Sequence, residues 1–333
     1  GWLTNVALYL EPEIAFGSLR VRPGVRMQYY DAKDAPVLEP RLRLVWEHGI
    51  HQLSAAAGLY HQDFVGLTDR RDAASVFTAW TTFPKPTNLK ADDALAGRLP
   101  GAVHLIGGYR INPSPSIELS IEGFYKKLSS LLIAEWTSYP RFTTRLQPAR
   151  GRSFGFDTRV EVRRAPFYGL VSYGLSSTRY EAEQAALQLW YGVERLRFRP
   201  SHDRRHQVNA LLGTSFHEFD LNLHWAFGSG FPFSRVLGFD GFILMDGFKD
   251  VKKDEGTHRV IYERPFNAVL PTYHRLDVSV ERTFPIGGAD LTVQATAINL
   301  YDRRNIFYLD TFTLERSDQL PFVPSLGIKV SFE

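Results

Sequence analysis

From Leu326 to Phe332 the chain alternates without a break. Leu326, Ile328, Val330 and Phe332 fall on one side, and Ser325, Gly327, Lys329 and Ser331 on the other. A period of two sends successive side chains to opposite faces of a strand. The same two-faced pattern recurs upstream. Leu19, Val21, Val25, Met27 and Tyr29 alternate with Arg20, Arg22, Gly24, Arg26 and Gln28, and Leu42, Leu44 and Trp46 oppose Arg41, Arg43 and Glu47. Phe154, Phe156, Val160 and Val162 oppose Gly155, Asp157, Arg159 and Glu161, and Leu276, Val278 and Val280 oppose Arg275, Asp277, Ser279 and Glu281. A longer strand over Ile117–Ile133 carries Glu118, Ser120, Glu122 and Lys126 on its polar face, and Phe219–Phe227 forms a hairpin with His206–Ser215. Val6–Ile14, Gln52–Gln62, Ala102–Ile111, Phe167–Tyr180 and Leu291–Tyr301 complete about 13 strands, with almost no helix. Pro23 interrupts one apolar face and predicts a bulge there.

The connections alternate as well. Short turns are predicted at Phe16–Ser18, His48–Ile50, Asn112–Ser116, Arg164–Pro166 and Pro285–Gly288. Long loops are predicted at about 63–100, 134–151, 181–201, 228–271 and 302–320, and a shorter polar loop over Asp31–Val37. Every long loop falls at one end of the strands. A transmembrane barrel has this form, with tight turns toward the periplasm and long loops outside. Strands of about 10–12 residues at roughly 3.3 Å per residue, tilted near 45°, span about 25 Å, the height of an outer-membrane apolar band. Trp46, Tyr109, Phe167, Phe284 and Tyr301 lie toward strand ends, where interfacial aromatic girdles form. A soluble pair of packed sheets is the competing reading, and Arg, Glu and Asp on the polar face of nearly every strand argue against it. The predicted fold is therefore all-β, an antiparallel transmembrane β-barrel of the outer-membrane type. An odd strand count and a start at Gly1 with no signal peptide predict that an N-terminal part, including the remaining strands, is absent from this sequence.

Composition narrows the function classes. The 333 residues contain no cysteine, which removes disulfides and thiolate chemistry. A net charge of +3 with 23% charged residues is too balanced to argue for nucleic acid. No run of 18 apolar residues exists to form a membrane helix. No nucleophile elbow or His-Glu-x-x-His motif occurs, so neither an enzyme nor a bound cofactor or metal is expected. His202-Asp203-Arg204-Arg205-His206 is the densest titratable cluster and reads as a solvated loop end. The charge runs Asp69–Asp72, Asp302–Arg304 and Lys249–Glu255 read as solvated loop segments.

Short motifs carry a family resemblance. Leu291–Asn305, with Asn299-Leu300-Tyr301-Asp302 at its centre, followed by the Pro324–Phe332 strand, resembles the final two strands of TonB-dependent outer-membrane receptors. Arg20–Arg26 with Tyr29-Tyr30, Pro40–Leu44 and Gly58–Gln62 resemble mid-barrel strands of the same family. Two positions depart from its pattern: Glu333 follows Phe332, and Ser325 stands where Arg usually follows the proline. The resemblance implies the last 13 strands of a 22-stranded barrel in the outer membrane of a Gram-negative cell. It implies active uptake of a scarce nutrient, such as a siderophore or other iron chelate, a vitamin or a glycan. The implied partners are outer-membrane lipid, an N-terminal plug domain of the same protein, a TonB-type energy-coupling protein acting through that plug, and the barrel assembly machinery. Phe332 is the implied C-terminal assembly signal. A passive porin-like pore or a surface adhesin on the same barrel is the alternative.

Two groups of residues are candidate functional positions. Arg20, Arg22, Arg26, Arg41, Arg43, Glu118, Glu122, Asp157, Arg159, Glu161, Asp277 and Glu281 are predicted to face the lumen and the plug. Phe231, Phe233, Phe239, Phe242 and Phe248, with Arg235, form an aromatic outer loop suited to capturing ligand.

Overall fold

In a strand that borders lipid, every backbone N–H and C=O must be satisfied by a neighbouring strand. The computed structural model of the chain meets that demand with a ladder of hairpins. It describes residues 5–30, 35–67, 72–74, 79–82, 99–134, 146–183, 192–242, 257–310 and 313–332. Phe248 and most of the charge runs at 69–72 and 249–255 lie outside these.

Each segment predicted as a wall strand is one. In chain order they are β1 (Asn5–Leu10), β2 (Leu19–Tyr30), β3 (Ala35–His48), β4 (His51–His61), β5 (Gly101–Ser114), β6 (Ile117–Ala134), β7 (Leu146–Arg164), β8 (Phe167–Glu183), β9 (His206–Phe216), β10 (Phe219–Gly228), β11 (Tyr273–Ile286), β12 (Ala289–Ile298) and β13 (Val323–Phe332). Each pairs antiparallel with the next. The sheet is open: among the described residues β1 is partnered through β2 and β13 through β12.

Two-residue turns at 17–18, 49–50, 115–116, 165–166, 217–218 and 287–288 close one end. The long connections all leave from the other. Trp46, Leu53 and Tyr109 fall in one cross-strand row on the apolar face, near the short turns.

Three expectations change. Pro23 makes no bulge, because β2 stays in unbroken register with β3 from Leu19↔Trp46 to Tyr30↔Ala35. Its effect falls on the other edge. β1 pairs as far as Leu10↔Val25 and pairing resumes at Ile14↔Val21, so Glu11–Glu13 run beside Arg22–Gly24. Pro12 thereby comes opposite Pro23, and neither nitrogen has a proton for the ladder. Second, β3 begins inside the loop predicted at Asp31–Val37, and β7 and β8 extend into those predicted at 134–151 and 181–201. β6 has 18 residues and β7 has 19. At roughly 3.3 Å per residue such strands are near 60 Å long, well beyond the apolar band. Past that band both faces meet water or other loops, so the alternation that marks a strand disappears from the sequence. Third, the long connections hold strands of their own. Val236–Phe242 pairs with Thr257–Tyr262, Pro232–Phe233 with Ala268–Val269, and Arg195–Phe198 adds to β8.

The link between β12 and β13 is a hydrogen-bonded knot, and it explains why Asn299-Leu300-Tyr301-Asp302 stands out in the sequence. Asn299 is fully buried in the left-handed region at φ 54°, which Asn tolerates better than most residues. Its amide donates to the carbonyls of Arg303 and Leu320, each at 3.0 Å, and its carbonyl oxygen accepts from Arg303 N–H at 3.1 Å. Its own N–H donates to Asp277 at 2.9 Å. Asp302 accepts from Phe322 N–H at 2.9 Å, and the Asn305 amide bonds both backbone groups of His274. Replacing Asn299 by alanine removes partners from two carbonyls and one N–H, at about 1–3 kcal/mol for each such group that water cannot reach. Asn299→Ala is expected to lower the temperature at which the folded, fast-migrating band of the full-length protein converts to the unfolded form. An unchanged transition would show that the knot contributes nothing.

Candidate functional site

The continuous register carries all the charged residues predicted to line a lumen onto one face. The row Arg43↔Ala56↔Ile106↔Phe124↔Gly155 links β3 to β7, and Asp157↔Gly174↔Gln207↔Gly228 continues the same face to β10. Asp277 and Glu281 join it opposite His224 and Asp220.

Most of these charges are paired along the wall. Arg22 pairs with Glu13, Arg20 with Glu47 at 2.5 Å, and Arg41 with Glu11 at 3.2 Å and Glu39 at 3.8 Å. The Glu11–Arg41 pair arches over Gly24, where a Cβ would lie 2.7 Å from Glu11 Cγ and 2.8 Å from Arg41 Cγ, so only glycine leaves room. Glu39 is buried and accepts from His61 N–H at 2.8 Å, while the buried Tyr30 hydroxyl lies 2.8 Å from the His61 carbonyl and 3.2 Å from Glu39. Farther round, Arg159 and Arg163 hold the buried Glu161, Arg110 lies 3.7 Å from Glu118, and Arg275 lies 2.9 Å from Asp277. Glu122 and Asp157 are directly opposite each other on β6 and β7. Both are exposed, and among the described residues neither makes an ion pair. Like charges in that position repel. Glu122 and Asp157 thus form a local acidic patch between the paired charges of Arg110–Glu118 and Arg159–Glu161–Arg163.

At the long-loop end the same face turns apolar. Ala149, Ala182, Leu196 and Phe198 are buried together, with Leu131, Ile133, Tyr180 and Phe266 packed on them. Phe266 stacks on Phe198 at 5.6 Å between ring centroids, and Tyr180 meets Phe198 edge-on at 6.0 Å. Phe266 belongs to the loop between β10 and β11, so this contact fastens that loop to the wall. A second fastening is the Arg204 guanidinium, which lies 4.2 Å from the Phe231 ring centroid and 5.5 Å from that of Tyr273.

The cluster His202–His206 is only partly a solvated loop end: His202 and His206 are exposed, but Asp203 is not. The Asp203 side chain is fully buried, accepts from Thr178 N–H at 2.8 Å and from Arg199 Nε at 2.7 Å, and lies 3.7 Å from Arg205. His202 is exposed, yet desolvation against neighbouring groups lowers its pKa, and its ring lies edge-on to Tyr180. The sequence hides this because a buried carboxylate and a hydrated one look alike without knowledge of the donors around them.

The predicted aromatic loop divides. Phe231 is spent on Arg204 and Phe233 is half-buried in the short pairing with Ala268. Phe239 and Phe242 lie on the Val236–Phe242 hairpin strand, with Phe239 49% exposed. Arg235 is exposed and 3.8 Å from Glu263. Sequence reasoning passed over Phe266 and read Arg204 only as part of a solvated loop end, because the partners of both are remote in the chain. It also missed a backbone bridge across the mouth. Asp72–Ala74, in the loop after β4, pairs antiparallel with Ile306–Asp310, in the loop after β12, which in turn pairs with Arg316–Asp318. Asp72–Ala74 also lies against Pro232–Phe233, so three long loops meet over the polar face.

No protein-family model matches the chain. No curated protein matches its sequence. Its fold is similar to that of several solved structures. The FrpB iron transporter from Neisseria meningitidis aligns at 15% identity and a TM-score of 0.58, over 99% of this chain and 46% of that one. The outer membrane transporter YddB from Escherichia coli aligns at 11% identity and a TM-score of 0.57, over 99% and 45%. The ferripyoverdine receptor of the outer membrane of Pseudomonas aeruginosa aligns at 8% identity and a TM-score of 0.61, over 98% and 38%. The chain spans less than half the length of these proteins. At such identity the likeness is one of fold, and it is the fold of the barrel part of TonB-dependent outer-membrane receptors.

Asp203 offers a test of the rim. Arg199 and Arg205 are partly exposed, so solvent screens the pairs and reduces their worth. Asp203→Asn, which also turns one acceptor into a donor facing donors, is expected to cost about 2 kcal/mol locally. Limited proteolysis of the full-length variant should cut between residues 192 and 205 at least tenfold faster, with the wall strands still protected. Equal cutting rates would make the buried carboxylate dispensable.

Proposed function

We propose that the chain is wall and mouth of an active receptor that takes up a scarce nutrient, an iron chelate first among the candidates, across the outer membrane. The observation that carries the reading is the meeting of three long loops at the end of a charged wall opposite the short turns. An entry port needs such a roof, with polar groups beneath it to solvate a hydrophilic cargo. The named functions of the solved neighbours, iron transport and ferripyoverdine reception, support the iron-chelate choice.

In this reading the outer-membrane lipid meets the apolar face. The paired charges of Arg20, Arg22, Arg41, Glu118 and Glu161 and the acidic Glu122–Asp157 patch meet a plug domain supplied by the full-length protein. Energy reaches that plug from a TonB-type coupling protein. Phe332, exposed on the β13 edge, is the residue that the barrel assembly machinery would read. Phe239, Phe242 and Phe248 with Arg235 are the ligand-contacting set, and Phe231 and Phe233 hold the base of their loop.

Burying a phenylalanine against a ligand gains roughly 1.5–3 kcal/mol, and about 1.4 kcal/mol is tenfold in affinity. The double variant Phe239→Ala/Phe242→Ala is expected to bind the ligand at least tenfold more weakly, with the barrel folded. Detergent-purified full-length protein titrated with ferric citrate, ferric hydroxamate and ferric catecholate chelates is the direct measurement. Failure of every chelate to bind wild-type protein would remove iron as the cargo. Unchanged affinity in the double variant would remove these rings from the site.

A further inference from the structure

The ladder between β3 and β4 ends early. It runs from His48↔His51 to Arg41↔Gly58, while β3 stays paired with β2 up to Ala35 and β4 with β5 up to His61. Above Arg41 the two strands share no backbone pair among the described residues, so the wall has a seam. The sequence sets its place. Glu47 N–H donates to the Ser18 carbonyl at 2.9 Å, so Glu47 and every second residue from it turn their backbone groups toward β2. The residues between them, Pro36, Leu38 and Pro40 included, turn toward β4. Neither proline has a proton to give that side.

Side chains take the place of the missing pairs. In continued register Leu38 would be opposite His61 and exchange both backbone bonds with it. Instead the His61 N–H donates to the Glu39 carboxylate at 2.8 Å, and the His61 carbonyl accepts from the Tyr30 hydroxyl at 2.8 Å. Tyr30 and Glu39 are buried, and Arg41 lies 3.8 Å from Glu39. At roughly 3.3 Å per residue and a tilt near 45°, the seam runs from about 19 to about 30 Å above the turn that follows His48. An apolar band about 25 Å tall that starts near Trp46 reaches its outer edge along this stretch. Buried ionisable groups at such a depth are costly and are kept where a pathway needs them. Here they form a latch that can release while β3 keeps β2 and β4 keeps β5.

The two sides of the seam differ in chemistry. Outside, Leu38, Leu42 and Leu59 are exposed on the apolar face. Inside, the Arg41 guanidinium lies 5.4 Å from the Tyr60 ring centroid, and the Tyr60 ring lies 4.6 Å from that of His104. A molecule crossing here leaves hydrocarbon and meets a cation backed by aromatic rings. That order suits an amphiphile with a negative head.

We propose that the seam between β3 and β4 is a side entrance from the outer leaflet to the lumen, latched by Tyr30, Glu39 and His61, for an amphiphile with an anionic head and an acyl tail. It rests on the uptake reading above and narrows the cargo to a chelate that carries such a tail. The tail stays in the hydrocarbon while the head passes between the strands to Arg41.

The chain has no cysteine, so thiols can be introduced singly or in pairs. Leu38→Cys/Leu59→Cys puts one thiol on each side of the seam, and a short bis-maleimide joins them. Cells making the full-length protein, folded by its heat-modifiable band, receive labelled iron on two citrate-headed chelates, one plain and one with a dodecanoyl tail. Cross-linking should lower uptake of the tailed chelate at least tenfold and leave that of the plain one within about twofold. Each single-cysteine variant, treated alike, should take up both. Independently of the cross-link, the tailed chelate should slow labelling of Leu59→Cys by a membrane-dissolved maleimide, and the plain one should not. Tailed uptake unaltered by the cross-link, equal loss of both chelates, or plain uptake without tailed uptake in wild type would each overturn the side entrance alone. If wild type takes up neither chelate, the uptake reading fails, and protection of Leu59→Cys by the tailed chelate decides the seam by itself.

Discussion

A hydrocarbon solvent that offers no hydrogen bonds is the constraint on which the structure depends. It makes each wall strand pair with its sequence neighbours, and so makes antiparallel hairpins the unit of construction. Pairing in turn fixes register, and register sorts side chains. Once Arg22 is opposite Arg43 and Val21 opposite Leu44, the register carries the lumen-side charges onto one face and the apolar band onto the other. Pro12 opposite Pro23 breaks the ladder near the sheet edge, and the register also shifts on β6 between Ile117 and Leu119 and between Leu128 and Leu131. Glu13–Arg22 and Glu11–Arg41 span the gap at the prolines with side-chain bonds.

The polar face then has two regimes. Over the apolar band, charges pair sideways along the wall, as with Arg41 between Glu11 and Glu39. At the mouth, charge is taken inside, as with Asp203, and aromatic rings carry the packing through Tyr180, Phe198 and Phe266. The first regime keeps a wide surface wettable. The second gives the long loops something solid to rest on.

The wall was legible in sequence because a period of two survives wherever one face meets lipid. Each strand from Val6 to Phe332 announced itself in that way, and so did the common face of the charged residues. The mouth was not legible, for physical reasons. Strand extensions above the membrane, such as Leu146–Arg150 on β7, no longer face lipid and lose the alternation, and Ala149 there packs against other loops instead. Rings such as Phe266 and Phe231 take their meaning from partners on other loops. The five phenylalanines looked alike as a composition, while the fold gives two of them packing duties. Asp203 and Asp277 likewise read as surface charges, although each is a backbone acceptor that holds a turn in place.

The pairing of Asp72–Ala74 with Ile306–Asp310 joins segments that are far apart in the chain, with eight wall strands between them in the sheet. Contacts of that span are entropically expensive and form late, after the local hairpins exist. The roof can therefore close only over a finished wall. Assembly thus separates a frame held by neighbours in the chain from a cover held by contacts between remote loops.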